Sequence, residues 1–175
     1  MVKPVIHPAL ASFAVPLDSL TLLEDNPRKG DVESLKALLG ELGQVEPILF
    51  HERDDGVREI VHGNHRTIAA RELDWEEIAA LDVSGFSEAQ IETLILGMNR
   101  SSDRGGYDPE ALVERLSRLT ETDERLSRVA GYERKDLEHL RKWSDREAPP
   151  KFDRVDLDEL EGEFDHKCPR CSFEF

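Results

Sequence analysis

Apolar and polar positions divide the chain into short apolar stretches and longer runs at helical spacing. Phe13 to Leu17 is a short apolar stretch and predicts a strand. Glu24-Asp25-Asn26-Pro27-Arg28 is turn chemistry. Asp31 can cap a helix that carries Leu35, Leu38, Leu39 and Leu42 on one face and ends at Gly43. Pro47 to Phe50 and Glu59 to His62 read as two strands joined through Asp54-Asp55-Gly56. Residues 64–73 predict a helix with Ile68, Ala69 and Leu73 inward, and Ile78 to Val83 a further strand. Ser87 can cap the next helix, through Ile91, Leu94, Ile95 and Met98, with Glu88 and Glu92 favourably placed near its start. Gly105-Gly106 then breaks the chain.

A helical pattern follows. Asp108-Pro109-Glu110 supplies a cap, a proline at the first helical position and an acid in the first turn. Leu112, Leu116 and Leu119 continue that helix; Leu126, Val129 and Ala130 form a second apolar face before Gly131. Leu137, Leu140 and Trp143 mark a third helix, with Trp143 expected to pack at its end, as Trp75 is after the earlier helix. The pattern predicts an α+β segment through residue 107, a helical module over 108–148, and an acidic tail over 149–175.

Charge sharpens this division. The chain of 175 residues has 38 Asp and Glu against 23 Lys and Arg, a net charge of −15. The acid lies in the first domain and the tail; the helical module is nearly balanced. That balance argues against a protein that coats nucleic acid with its whole surface, but leaves room for a local DNA contact. No apolar run is long enough to span a membrane. The start, Met1 to Leu10, has no apolar signal core, so a cytoplasmic protein is expected. With only two cysteines, both near the end, no disulfide scaffold is expected.

Three constellations carry candidate chemistry. Val61-His62-Gly63-Asn64-His65-Arg66 follows a strand and opens a helix. Glycine allows close backbone approach, the helix start offers N–H groups to an anion, and Arg66 is a bidentate phosphate donor. Arg66 could instead pair with a surface acid. Asn99-Arg100-Ser101-Ser102-Asp103-Arg104 follows the apolar helix. Its oxygens suit a hard cation and Arg100 a phosphate; the other reading is a polar loop between two helices. His166-Lys167-Cys168-Pro169-Arg170-Cys171 resembles one knuckle of a zinc ribbon. Cys168 and Cys171 give two ligands and His166 could give a third, so a complete zinc site would need two chains. A redox pair and a metal-free knuckle are the alternatives.

Several motifs occur in a fixed order: Asn26-Pro27-Arg28, Gly43-Gln44-Val45-Glu46-Pro47-Ile48, Gly63-Asn64-His65-Arg66-Thr67, Leu73-Asp74-Trp75, and Asn99-Arg100-Ser101-Ser102-Asp103. In that order they resemble the ParB N-terminal domain of the ParB/sulfiredoxin superfamily over roughly residues 12–107, especially ParB-like proteins of phages and mobile elements. The resemblance implies a small mixed sheet with helices. It also implies a nucleoside triphosphate, CTP or ATP, with Mg2+. Gly63, Asn64, His65, Arg66 and Thr67 would face phosphate; Gly43 to Pro47, with Gly43, Gln44 and Pro47 foremost, would line the base and sugar side. Asn99 would lie near magnesium, with Arg100, Ser102 and Asp103 beside it.

The departures from the family pattern are chemical. The box in partitioning proteins is usually Gly-Glu-Arg-Arg, so Asn64 and His65 leave fewer cations here. Met98 stands where an acid usually precedes the metal-binding Asn. Both changes count against triphosphate hydrolysis. A sulfiredoxin would need cysteine where Asn64 stands, which argues against peroxiredoxin repair. The expected function is a nucleotide-binding accessory protein in DNA metabolism, working as a homodimer with DNA as partner. The alternatives are a phosphotransferase, NTPase or nuclease on the same scaffold, for which Glu24, Asp25 or Glu46 could supply a carboxylate with none singled out, and an acidic protein that occupies a DNA-binding partner. In the helical module, Arg134, Lys135, Arg141 and Lys142 interleave with Glu133, Asp136 and Glu138, a composition that suits packing better than base reading.

Overall fold

A computed structural model describes residues 5–144. Four strands, β1 (Ala14–Pro16), β2 (Ile48–Glu52), β3 (Arg58–His62) and β4 (Glu77–Asp82), form one mixed sheet in the order β1-β4-β2-β3. β4 runs parallel to β2, while β1–β4 and β2–β3 are antiparallel. The expected first strand is shorter than its apolar stretch, because Leu17 turns into a 3-10 segment, Leu17–Ser19, that sinks into the core.

Strand alternation sorts the sheet into two apolar faces. Ile48, Phe50, Ile60, Ile78 and Ala80 face α1 (Val32–Leu42) and α2 (Asn64–Glu72), where Leu39, Ala69, Ala70 and Trp75 complete the core. Val61 and Leu49 face the other way, against Ile91, Leu94 and Ile95 of α3 (Glu88–Arg104). The sheet is therefore filled from both sides.

Local chemistry sets the helix ends. Asp31 caps α1 by accepting from Ser34 N at 3.0 Å. Gly43 closes it at φ +71°, and a Cβ there would lie 2.1 Å from the Val5 carbonyl oxygen. At the start of α3, Ser87 N donates to Gln90 Oε1 at 2.9 Å, one arm of a capping box. α3 does not stop at Met98: the segment expected as a polar loop, Asn99–Asp103, is its final turns. Asn99 Nδ2 donates to the Ile95 carbonyl at 2.8 Å and Ser101 Oγ to the Met98 carbonyl at 3.0 Å. These side-chain donors are satisfied within the helix, which runs on until Gly105-Gly106.

The helical segment comprises α4 (Pro109–Thr122), α5 (Glu124–Val129) and α6 (Arg134–Ser144). Asp108 caps α4 through Ala111 N at 3.0 Å, with Pro109 opening the helix. Leu116 of α4 and Leu137 of α6 are buried. Arg125 forks onto both carboxylate oxygens of Glu41, tying α5 to α1. Trp143 is 57% exposed rather than packed, because the buried contact of α6 is made at Leu137, nearly two turns earlier. The tail with His166, Cys168 and Cys171 lies outside the described residues. No helix among the described residues is long and apolar enough to cross a membrane.

Candidate functional site

The sheet and its helices leave a cleft of about 720 Å³ at the start of α2. One wall is the 26–30 segment and the first turn of α1; the opposite wall is His62 to Arg66. Asn99 and Tyr107 close the far side.

Gly63 makes the turn from β3 into α2 at φ +105°. A Cβ there would lie 2.5 Å from Ile48 Cγ2, so sheet packing and backbone conformation both demand glycine. The turn brings the first N–H groups of α2 to the cleft, where the helix supplies them no carbonyl partners. Arg66 lies in the wall: Nη2 donates to Glu46 Oε2 at 2.6 Å and Nη1 to the Pro47 carbonyl at 3.4 Å. Across the cleft, Arg28 Nη1 donates to Asn99 Oδ1 at 3.3 Å and lies 3.3 Å from Asp103 Oδ1. His65 Nε2 accepts from Gly30 N at 3.0 Å, and its ring lies so close to Gly30 that a Cβ would meet it at 2.6 Å. His62 is half-buried, and its pKa is held below the ordinary histidine value by burial first and then by the Arg66 and Arg28 charges, with Glu46 opposing.

Other expected site residues make hydrogen bonds within the fold, and of these Asn64 also lines the cleft. Asn64 is buried and gives both ends of its amide to Leu23, accepting from N at 3.2 Å and donating to O at 2.9 Å. Thr67 is fully buried, its Oγ1 donating to the Gly63 carbonyl at 3.1 Å. Gln44 is 1% exposed and clamps β4: Nε2 donates to Ala79 O at 2.8 Å and Oε1 accepts from Ala79 N at 2.6 Å. Gly43, Gln44 and Pro47 do not line the cleft. Arg100 and Asp103 line a separate depression of about 310 Å³ that meets the cleft only at Arg28 and Asn99. Ser102 lies on the same helix.

The family model of the ParB N-terminal domain matches residues 13–100. The chain belongs to this family. Among solved structures, the chain is similar to C-terminally truncated ParB from Caulobacter crescentus complexed with CTP-gamma-S: TM-score 0.58, 20% identity, covering 73% of this chain and 74% of that one. The same bacterium's ParB complexed to the centromeric parS site is matched at TM-score 0.41 and 20% identity, covering 73% and 68%. Sulfiredoxin from Arabidopsis thaliana is matched at TM-score 0.38 and 25% identity, covering 46% and 93%. No curated protein matches the chain in sequence.

The magnesium expected in a ParB-like site finds no ready ligand set here. Asn99 Oδ1 and the Asp103 carboxylate both face Arg28, while Asn99 Nδ2 is bound to Ile95 O. A dication among them would meet the Arg28 charge. Among the described residues, no three His, Cys, Asp or Glu side chains gather as metal ligands. The donor set as arranged therefore does not fit a protein-held magnesium ion.

Three cleft residues of this ParB-like domain, Arg28, His62 and Tyr107, were not among the expected ligand contacts, while Glu46, from the expected 43–47 stretch, lines the cleft. Arg28 had a signal, the Asn26-Pro27-Arg28 motif, and His62 stands beside Gly63. Tyr107 reaches the cleft only through folding, from beyond the glycine pair.

Proposed function

We propose that this ParB-like domain binds a nucleoside triphosphate in the cleft, with CTP the first candidate, and that the chain serves in DNA metabolism. One observation carries the reading: Arg28 and Arg66, distant in sequence, line one cleft at the start of α2. A phosphate chain lying there would take bidentate bonds from the guanidiniums and single bonds from the helix N–H groups. The likeness to a ParB complexed with CTP-gamma-S supports the choice of base.

DNA contact would fall to the helical segment. α5 and α6 are joined by a turn in which Gly131 takes φ +85°. Its basic groups are partly neutralised, with Lys135 Nζ 2.7 Å from Glu133 and Arg134 Nε 4.0 Å from Glu138. So few net cations leave little for phosphate contact, so DNA binding through this segment alone would be weak and strongly salt-dependent.

The test is a thermal-shift panel of CTP, ATP, GTP, UTP and ADP, with and without magnesium, on the full chain and on Arg28→Ala and Arg66→Ala. Saturation a hundredfold above Kd stabilises a folded protein by about 2.7 kcal/mol. A rise with CTP that both variants lose is expected. No rise with any nucleotide overturns the reading.

A further inference from the structure

The Arg66–Glu46 pair is asymmetric. The Arg66 side chain keeps 17% of its exposure and Glu46 keeps 60%. The arginine is therefore part of the wall, held also by the Pro47 carbonyl, while the carboxylate stands on the rim. The backbone under Glu46 is fixed as well. Gln44 Nε2 donates to the Glu46 carbonyl at 3.0 Å as well as to Ala79 O, so the buried amide ties this residue to β4. Glu46 can release Arg66 only by turning its own side chain outward, and its exposure leaves room for that.

A carboxylate and a phosphate oxygen make the same kind of charge-assisted bond to a guanidinium. With Nη1 on Pro47 O and Nη2 on Glu46, a phosphate at Arg66 must either replace the carboxylate or sit beside it, where like charges repel. We infer that Glu46 is a built-in competitor for the phosphate chain: without ligand it holds Arg66, and a polyphosphate enters by displacing it. The inference rests on the phosphate reading of the cleft and adds how that site discriminates. A singly charged anion gains at Arg66 only what Glu46 already supplies. A polyphosphate also reaches the α2 N–H groups and the edge of Arg28 that is not turned to Asn99 and Asp103, so its gain exceeds the lost pair. The competing carboxylate thereby sets a threshold that passes phosphate chains and turns away monoanions.

The experiment is calorimetric titration of the full chain with inorganic tripolyphosphate in magnesium-free buffer, and separately with CTP. Wild type, Glu46→Gln and Glu72→Gln are compared. Glutamine keeps the size of Glu46 and removes its charge. Glu72→Gln removes the same charge at the far end of α2, where the carboxylate pairs with Lys36 at 2.9 Å. Urea denaturation of all three establishes that they fold. Glu46→Gln is expected to bind both ligands roughly three- to tenfold tighter than wild type, with Glu72→Gln unchanged. Binding seen only after Glu46→Gln supports the inference most directly. Equal or weaker binding by Glu46→Gln, with wild type binding, overturns it and leaves the phosphate reading standing. An equal gain in Glu72→Gln overturns it also, by reducing the effect to net charge. No binding of either ligand to any variant removes the phosphate reading, and the inference with it.

Discussion

Asn64 makes both of its side-chain hydrogen bonds to the backbone of one residue, Leu23, 41 positions earlier. The amide copies the pairing of a neighbouring strand, accepting from the Leu23 N–H and donating to its carbonyl. It thereby anchors the start of the segment that carries Arg28 into the cleft. Asn64→Asp removes the donor and brings a carboxylate to the Leu23 carbonyl, in a position only 8% exposed. A loss of about 1–3 kcal/mol is expected from urea denaturation, since a buried acceptor is left unpaired. Stability unchanged by this substitution would show that the 23–28 segment is anchored elsewhere.

Gly63 is under two constraints at once, a left-handed backbone and contact with Ile48. In Gly63→Ala the new methyl would meet Ile48 Cγ2 at 2.5 Å and Cβ at 2.9 Å, and Ile48 is fully buried at the centre of the sheet. Backbone strain at positive φ costs about 1–3 kcal/mol before any repacking. Denaturation midpoints should fall accordingly, and a truncating second change, Ile48→Ala, should not add its full cost to the first, because it removes Cγ2, the closer of the two clashing atoms. Full additivity of the two would mean that the contact is not the source of the loss.

These two residues mark what was legible in the chain. The elements followed from local pattern: the Asp31 and Asp108 caps, the leucine spacing of α1 and α4, and the strand runs that meet in one sheet all act over a few residues. The pocket followed in outline, since Gly63 and Arg66 sit where a helix start meets a strand end. What each polar side chain does was not local. Gln44 finds Ala79 35 positions away, and Arg66 finds Glu46 20 positions away. Spacing cannot distinguish an amide that will touch a ligand from one that will close a strand. The Asn99–Asp103 segment reads as a loop in the sequence for a different reason. Asn and Ser favour turns when their side chains compete for the backbone, but here they bond to carbonyls of their own helix.

His62 makes the fold sensitive to acid. Burial and the two nearby arginines disfavour its charged form, so its folded pKa lies below the ordinary value of 6.5 that the unfolded chain would show. Between those two values the unfolded state binds the proton and the folded state does not. Stability therefore rises with pH across that window. The contribution is complete above about 6.5 and is lost as pH falls from there toward the folded value. Melting temperatures measured from neutral pH downward should decline in wild type and decline less steeply in His62→Gln, which cannot titrate. Phosphate in the cleft would reverse the local balance by placing negative charge beside the imidazole. Saturating tripolyphosphate should then raise the His62 pKa and flatten the wild-type decline. The imidazole C–H resonances, followed by NMR through the same titration, report the shift directly, and a His62 pKa at or above 6.5 in the ligand-free protein would refute this account.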